Sequence, residues 1–390
     1  MQALATTLTK LLSNESNKYF AATGYTAPCQ HYPRCGGCQL QHISYSEQIR
    51  LKEKYLQILF NRPVTVQPAD SPFRYRNRMD FVTTFGKTGL HKRGTHRRIV
   101  DITHCHLISE SANDILNKIK VLCKEYQIPD FDINRKEGFL KFVVLRMTQS
   151  GEIMVILITS SPDPVIEPRC KKMLERLIEI TPIISGWWIL SDELSDRTKT
   201  QKYYFTGKIN ITERIGPNKF HIGPETFFQN NIQMAHRCFE TIKEFVIGEK
   251  VLDAYCGCGA ISLYVHNNAL SVTGVDRHGE SIHTARENAE LNGISNVTFI
   301  EANVENYLNE SRDTFDTVIF DPPRSGLTKR IIQAVERIKP SRIIYMSCNP
   351  ETQRRDIRLL INYRLLEIRG FDMFPQTEHL ETIAILERIK

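Results

Sequence analysis

Cys348 ends the run Ile343-Ile344-Tyr345-Met346-Ser347-Cys348 and is followed by Asn349-Pro350. Four apolar residues of strand-forming type before an X-Pro break predict a buried strand that stops just short of the thiol. A thiolate is a strong nucleophile, and loops past the carboxyl ends of strands are where open α/β sheets carry their chemistry. The competing reading is a cysteine that serves as a small packing residue. A second set of thiols has a different pattern: Cys29, Cys35 and Cys38 fall within ten residues around Pro33 and Gly36-Gly37. Three soft ligands in one loop need a fourth, and Cys105, in His104-Cys105-His106, is the best candidate. Four thiolates at uneven spacing fit an iron–sulfur cluster, whereas structural zinc more often takes two close pairs; the flanking histidines leave a mixed zinc site as the alternative.

The elements that must position these groups are constrained by composition. A chain of 390 residues with 41% hydrophobic and 24% charged residues reads as a soluble protein of two or three domains. It has no apolar run of membrane-spanning length and opens on no basic-then-apolar signal, so a cytoplasmic location, no membrane partner and a monomer are expected. Ten cysteines in a reducing compartment point to metal or catalysis rather than disulfides, and the net charge of +7 is compatible with an anionic partner.

Three regions follow. Residues 1–28 form a short lead with a helix over Leu4–Leu12, 29–215 an α+β region, and 216–390 a βαβ domain. Gln39–Phe60 predicts a helix with Ile49, Leu51, Tyr55, Leu56 and Leu59 on its apolar side, able to pack on the βαβ domain. Phe73-Arg74-Tyr75-Arg76-Asn77-Arg78 alternates as a strand with cations on one face and aromatics mostly on the other. With Lys87, Lys92, Arg93, Arg97 and Arg98 this is a nucleic-acid footprint, or else a solvated strand over a core. Strands at 139–147, 152–159, 187–190 and 203–206, with helices at 111–126 and 167–180, predict a mostly antiparallel sheet.

Beyond Gly216-Pro217 the pattern becomes strand, Gly-rich turn and helix at Val251-Leu252-Asp253-Ala254-Tyr255-Cys256-Gly257-Cys258-Gly259-Ala260. The next strand ends in Asp276, an acid placed to accept hydrogen bonds from a ribose; the third is followed by Asn303, where a polar side chain can read an adenine edge. A fourth strand ends in Asp321-Pro322-Pro323-Arg324 and the fifth at Cys348, before a closing hairpin that carries Glu378 and Glu381. Cys256 and Cys258 read as packing residues of the turn.

The ordered motifs Phe-Phe-Gln-Asn-Asn (227–231), Leu-Asp-Ala-Tyr-Cys-Gly-Cys-Gly (252–259), Gly-Val-Asp (274–276), Asp-Pro-Pro-Arg-Ser-Gly (321–326), Ser-Cys-Asn-Pro (347–350) and His-Leu-Glu-Thr (379–382) resemble the RNA uracil-5 methyltransferases. The resemblance implies a class I Rossmann-like methyltransferase domain, with an α+β insert domain carrying a four-cysteine iron–sulfur site. The set Cys29, Cys35, Cys38 and Cys105 is similar to the 4Fe-4S site of the branch that acts on 23S ribosomal RNA, here without the OB-like domain that some members place before it. Carried over by position, the resemblance implies S-adenosylmethionine contacts from Gln229, Tyr255, Asp276, Asn303 and Asp321. Ala260 stands where an Asn is frequent, and Glu378 where many members have Gly, which leaves Glu381 as the catalytic carboxylate.

Carbon 5 of uracil becomes nucleophilic only after addition at carbon 6. The expected course is attack by the Cys348 thiolate, methyl transfer to carbon 5, and removal of the carbon 5 proton by Glu381, with Arg324 orienting the base or polarising a carbonyl. The expected product is 5-methyluridine in 23S ribosomal RNA. The alternatives are transfer RNA uracil, cytosine carbon 5, and an iron–sulfur RNA-binding protein without turnover. Cytosine chemistry usually brings a second cysteine beside Asp-Pro-Pro, where this chain has Arg324 and Ser325.

Overall fold

The computed structural model describes residues 25–161, 164–191 and 200–389; the helix expected over Leu4–Leu12 lies outside them. After the loop of Cys29, Cys35 and Cys38 come α1 (Tyr45–Phe60) and the short β1 (Val66–Gln67). The middle of the chain runs β2 (Arg78–Thr84), β3 (Lys87–His91), β4 (Ile99–Asp101), α2 (Glu110–Glu125), the pair β5 (Phe131–Asp132) and β6 (Glu137–Gly138), β7 (Leu140–Met147), β8 (Ile153–Thr159), α3 (Ile166–Ile180), β9 (Ile183–Ser191) and β10 (Thr200–Gly207). A hairpin, β11 (Ile211–Ile215) and β12 (Asn218–Ile222), leads into α4 (Ile232–Phe245) and then β13 (Lys250–Ala254), α5 (Ala260–Val265), β14 (Ser271–Asp276), α6 (Gly279–Leu291) and β15 (Val297–Glu301). The chain closes with α7 (Val304–Glu310), β16 (Thr317–Phe320), α8 (Lys329–Ile338), β17 (Arg342–Ser347), α9 (Pro350–Ile357), β18 (Tyr363–Phe371) and β19 (Glu381–Arg388).

Ile343, Ile344, Tyr345 and Met346 are all fully buried, as a strand covered on both faces requires. They occupy β17 of an eight-stranded sheet ordered β1-β18-β19-β17-β16-β13-β14-β15. The strands from β13 to β17 run parallel, and β19 is antiparallel to both its neighbours. The order reverses between β13 and β16, and a crevice at the carboxyl ends of the strands opens at such a reversal. One face of the sheet packs Val251, Ile319, Ile344 and Met346 against α4, α5 and α6. The other packs Leu252, Val318, Phe320 and Tyr345 against α1, α7 and α8. This is the class I methyltransferase arrangement.

The second sheet, ordered β10-β9-β8-β7-β2-β3-β4, is antiparallel except for the pairing of β8 with β9. Two expectations need correcting here. The helix expected from Gln39 begins at Tyr45, because the Gln39 and Leu40 amides are spent on the Gln376 carbonyl and Ser44 caps the helix through the Glu47 N–H. Phe73–Asn77 is not a strand: Arg74 has φ 56°, and the Arg74 and Arg76 amides donate to the carbonyls of His106 and Leu107. The predicted split of cations and aromatics therefore does not form. Arg74 pairs with Glu110, and Arg76 lies over the Phe374 ring.

Candidate active site and cysteine cavity

The turn after β13 needs two glycines. Gly257 and Gly259 have φ of 53° and 82°, and a Cβ on Gly259 would come within 2.7 Å of the Phe299 ring. In front of Gly257 the space is open. Asp276, at the end of β14, is buried; Oδ2 accepts the Gly257 N–H at 3.1 Å and Oδ1 the His278 N–H at 2.9 Å. Tyr255 follows β13 in a left-handed conformation (φ 71°), its N–H bonded to the Val275 carbonyl, and burial pushes its hydroxyl up to about 12. Asn303 caps α7, with Oδ1 accepting from the Glu305 and Asn306 N–H groups, so its oxygen is already engaged and its amide NH2 remains for an adenine edge. Gln229 is held from the side of the second sheet: Asn77 Nδ2, just before β2, donates to its carbonyl at 2.8 Å, and buried Arg146 of β7 holds the Gly223 and Thr226 carbonyls of the approach.

Sequence reading missed Asp253. It is wholly buried on β13, with Oδ2 accepting from Ser262 Oγ at 2.5 Å and Oδ1 without a partner in the protein. Burial holds its carboxyl up to about 6, and burial together with the Asp253 charge raises Asp321 to about 7. A lone Asp in an apolar strand was the available signal. An open glycine turn, an acid at the end of the second strand and an unsatisfied carboxylate oxygen fit an adenosine-bearing sulfonium donor.

Cys348 follows β17 directly and is half-buried. Asn349 caps α9 through the Thr352 N–H and donates from Nδ2 to the Arg324 carbonyl at 3.1 Å, tying the thiol loop to Asp-Pro-Pro-Arg. In the register of β17 with β19, Ser347 faces Thr382, so Glu381 arrives beside the thiol. Burial pushes the Cys348 thiol up to about 11, helped by the charges of Glu381 and Asp321, while Arg324 pulls the other way through its charge and a side-chain hydrogen bond. Glu381 is buried and held well above the usual carboxylate range by that burial and by Asp321, with Arg324 again opposing. Arg324 Nη2 donates to His379 Nδ1 at 3.0 Å, and burial, then Arg324, Lys52 and Arg76, push the imidazole down to about 4. His379 is thus a neutral ring with a fixed tautomer, Nε2 carrying the proton. The His-Leu-Glu-Thr motif held this residue, but its pairing with Arg324 was not legible.

Cys29, Cys35, Cys38 and Cys105 line one small cavity with His31, His104 and His106. Burial raises the thiols of Cys38 to about 12 and of Cys105 to about 11, and the neighbouring thiols push each further. The Gly37 N–H points at Cys35 Sγ at 3.4 Å. Among the described residues, no three His, Cys, Asp or Glu side chains gather tightly enough to hold one metal ion. No helix among them is long and apolar enough to cross a membrane.

A largely parallel sheet with this strand order and an antiparallel last strand, and a glycine turn at the reversal, define the class I methyltransferase fold. Residues 188–389 match the family described as tRNA (Uracil-5-)-methyltransferase. A tRNA (uracil(54)-C(5))-methyltransferase of Pyrococcus abyssi is 35% identical over 362 residues, spanning 92% of this chain and 85% of the relative. An uncharacterised RNA methyltransferase of Halalkalibacterium halodurans is 35% identical over 390 residues, spanning 93% and 83%. The crystal structure of the Pyrococcus abyssi tRNA (uracil-54, C5)-methyltransferase in complex with S-adenosyl-L-homocysteine superposes with a TM-score of 0.80 and 35% identity over 91% of this chain and 86% of that one. The chain belongs to the RNA uracil-5 methyltransferase family, and is an S-adenosylmethionine-dependent enzyme. The alternative of a binding protein without turnover is thereby set aside.

Proposed function

We propose that the protein methylates carbon 5 of a uridine in transfer RNA, with Cys348 as nucleophile and Glu381 as base. The observation that carries the chemistry is the convergence of Cys348, Arg324, His379 and Glu381 at the carboxyl end of β17. Transfer RNA replaces 23S ribosomal RNA as the favoured substrate because named relatives that span most of the chain act on transfer RNA uracil.

The Cys348 thiol gives its proton to solvent, the thiolate being stabilised by Arg324, and its sulfur bonds to carbon 6; the electron pair of the 5,6 double bond moves to carbon 5 as an enolate. Arg324 and the Nε2–H of His379 are the donors available to the enolate oxygen. Bound S-adenosylmethionine would supply an electrophilic methyl group to carbon 5, its S–CH3 bond breaking to leave S-adenosylhomocysteine. Glu381 then removes the carbon 5 proton, the 5,6 double bond re-forms, and the sulfur leaves. Raised basicity suits Glu381 to that step, because a carboxylate of ordinary acidity is a weak base toward carbon. Tyr255, Gln229, Asp276, Asn303 and Asp321 hold the donor, and the uridine must leave its stack to reach the thiol.

In the same reading Cys29, Cys35, Cys38 and Cys105 hold a 4Fe-4S cluster. What supports this reading is that the four thiols line one cavity, and a four-thiolate set is the usual ligand set of such a cluster. It would staple the cysteine loop to the segment before α2.

Nucleoside mass spectrometry of separately purified transfer, 23S and 16S RNA, with and without the gene, tests the substrate. Loss of 5-methyluridine from transfer RNA alone is expected. Loss from 23S RNA alone would return the ribosomal reading.

A further inference from the structure

The loop between β18 and β19 delivers His379 and Glu381 to the site, yet it is held mainly by parts of the chain that have no chemistry of their own. Gln376 is its pivot, buried and left-handed at φ 69°. Its carbonyl accepts the N–H groups of Gln39 at 2.9 Å and Leu40 at 3.0 Å, the residues directly after Cys38. Its own N–H donates to Gln48 Oε1 at 3.1 Å, and its side-chain oxygen accepts from Gln48 Nε2 at 3.0 Å. Four residues on along α1, Lys52 Nζ meets Asp372 Oδ1 at 2.6 Å, and neither side chain has any exposed surface. Gln48 also has no exposed surface, so neither it nor Lys52 can touch RNA or the methyl donor. A buried ion pair is weak evidence for stability; what it adds is a fixed position, since any shift strands a charge.

We infer that Gln376, clasped by Gln39, Leu40 and Gln48, is a positioning residue for the proton-removal step. Cys348 is fixed by β17 and the cap of α9, whose bonds do not involve the clasp, whereas Glu381 opens β19 and is held by strand pairing on one side and by the clasped approach on the other. Loosening the clasp therefore slows the second half-reaction more than the first, which keeps Cys348 and Arg324 and loses only the placing of His379. This rests on Glu381 as the base.

The test uses the full-length, metal-loaded protein and an RNA transcript, from the pool that the protein methylates, carrying 5-tritiated uridine. S-adenosylhomocysteine formation reads methyl transfer, and tritium release to water reads proton removal. Gln376→Gly keeps the left-handed backbone and deletes only the side-chain bond to Gln48. It is expected to release tritium roughly tenfold to a hundredfold more slowly, and to form S-adenosylhomocysteine in the first turnover with a clearly smaller loss, while a covalent RNA–protein species accumulates. Gln376→Asn, which also tolerates that conformation, serves if the glycine variant does not fold. Glu381→Gln runs beside them. If it releases tritium normally, the base assignment falls; if it stalls while the Gln376 variant keeps both rates or loses both equally, the clasp is overturned.

Discussion

The thiol after β17 and the four thiols around the cysteine cavity are the same functional group in two settings. Cys348 stands alone at the end of a buried strand, with Arg324 pulling its proton off and a buried carboxylate at hand. The other four come from loops and line one cavity, where the charge of Arg93 on Cys35 and of Arg76 on Cys105 only partly offsets the burial that raises both thiols. The Cys348 thiol is placed by a sheet, whereas the other four are placed by loops. The difference between the two sites is one of surroundings.

The most direct way to break this contrast is to exchange the outcomes of single substitutions. Cys348→Ala should lower methyl transfer by roughly 10⁴-fold or more with the metal content unchanged, read by transfer of labelled methyl and by iron analysis. Glu381→Gln should cost on the order of 10²- to 10³-fold in tritium release, the usual scale for loss of a positioned base. Cys38→Ser should give the opposite pattern: loss of bound metal and a lower melting temperature, with Cys348 still alkylated at the wild-type rate. Equal loss of Cys348 reactivity in Cys38→Ser would mean that the two thiol sites are not separable.

Acidity sharpens the contrast further. Because burial pushes the Cys348 thiol up to about 11, its thiolate fraction, and with it the rate of adduct formation, should rise about tenfold per pH unit between pH 6 and 9. A flat profile there would mean that the thiol is already ionised. The smallest expected effect is on stability. Asp321 and Asp253 are raised to about 7 and about 6 from an unfolded value of 3.8, so their contribution is complete below pH 4 and lost as pH climbs through 6 to 7. Asp321→Asn should therefore flatten the fall in melting temperature of the donor-free protein between pH 5 and 8, while weakening donor binding.

The parallel sheet was legible because runs rich in strand-forming residues end in chemistry: 343–346 before Cys348, and 271–275 before Asp276. Spacing within such units carries the information. The segment from Phe73 to Asn77 misled because its alternation is local while its hydrogen bonds go to His106, Leu107 and Asn230, partners that periodicity does not see. For the same reason the clasp on Gln376 and the pairing of Arg324 with His379 were invisible: each joins segments far apart in sequence. Asn303 was read as a reader of an adenine edge, and its side-chain oxygen instead caps the helix that follows.

That distance along the chain has a consequence in time. The bonds of α1 to Gln376, Asp372 and Glu351 join residues 328, 320 and 296 positions apart, whereas the glycine turn is held by partners such as Asp276, 19 positions from Gly257. Closing a long loop costs more entropy than closing a short one, so contacts of this kind form late in folding. The donor pocket should therefore assemble before the loop that carries Glu381. On mild heating the order should reverse, with methylation failing while the donor still binds.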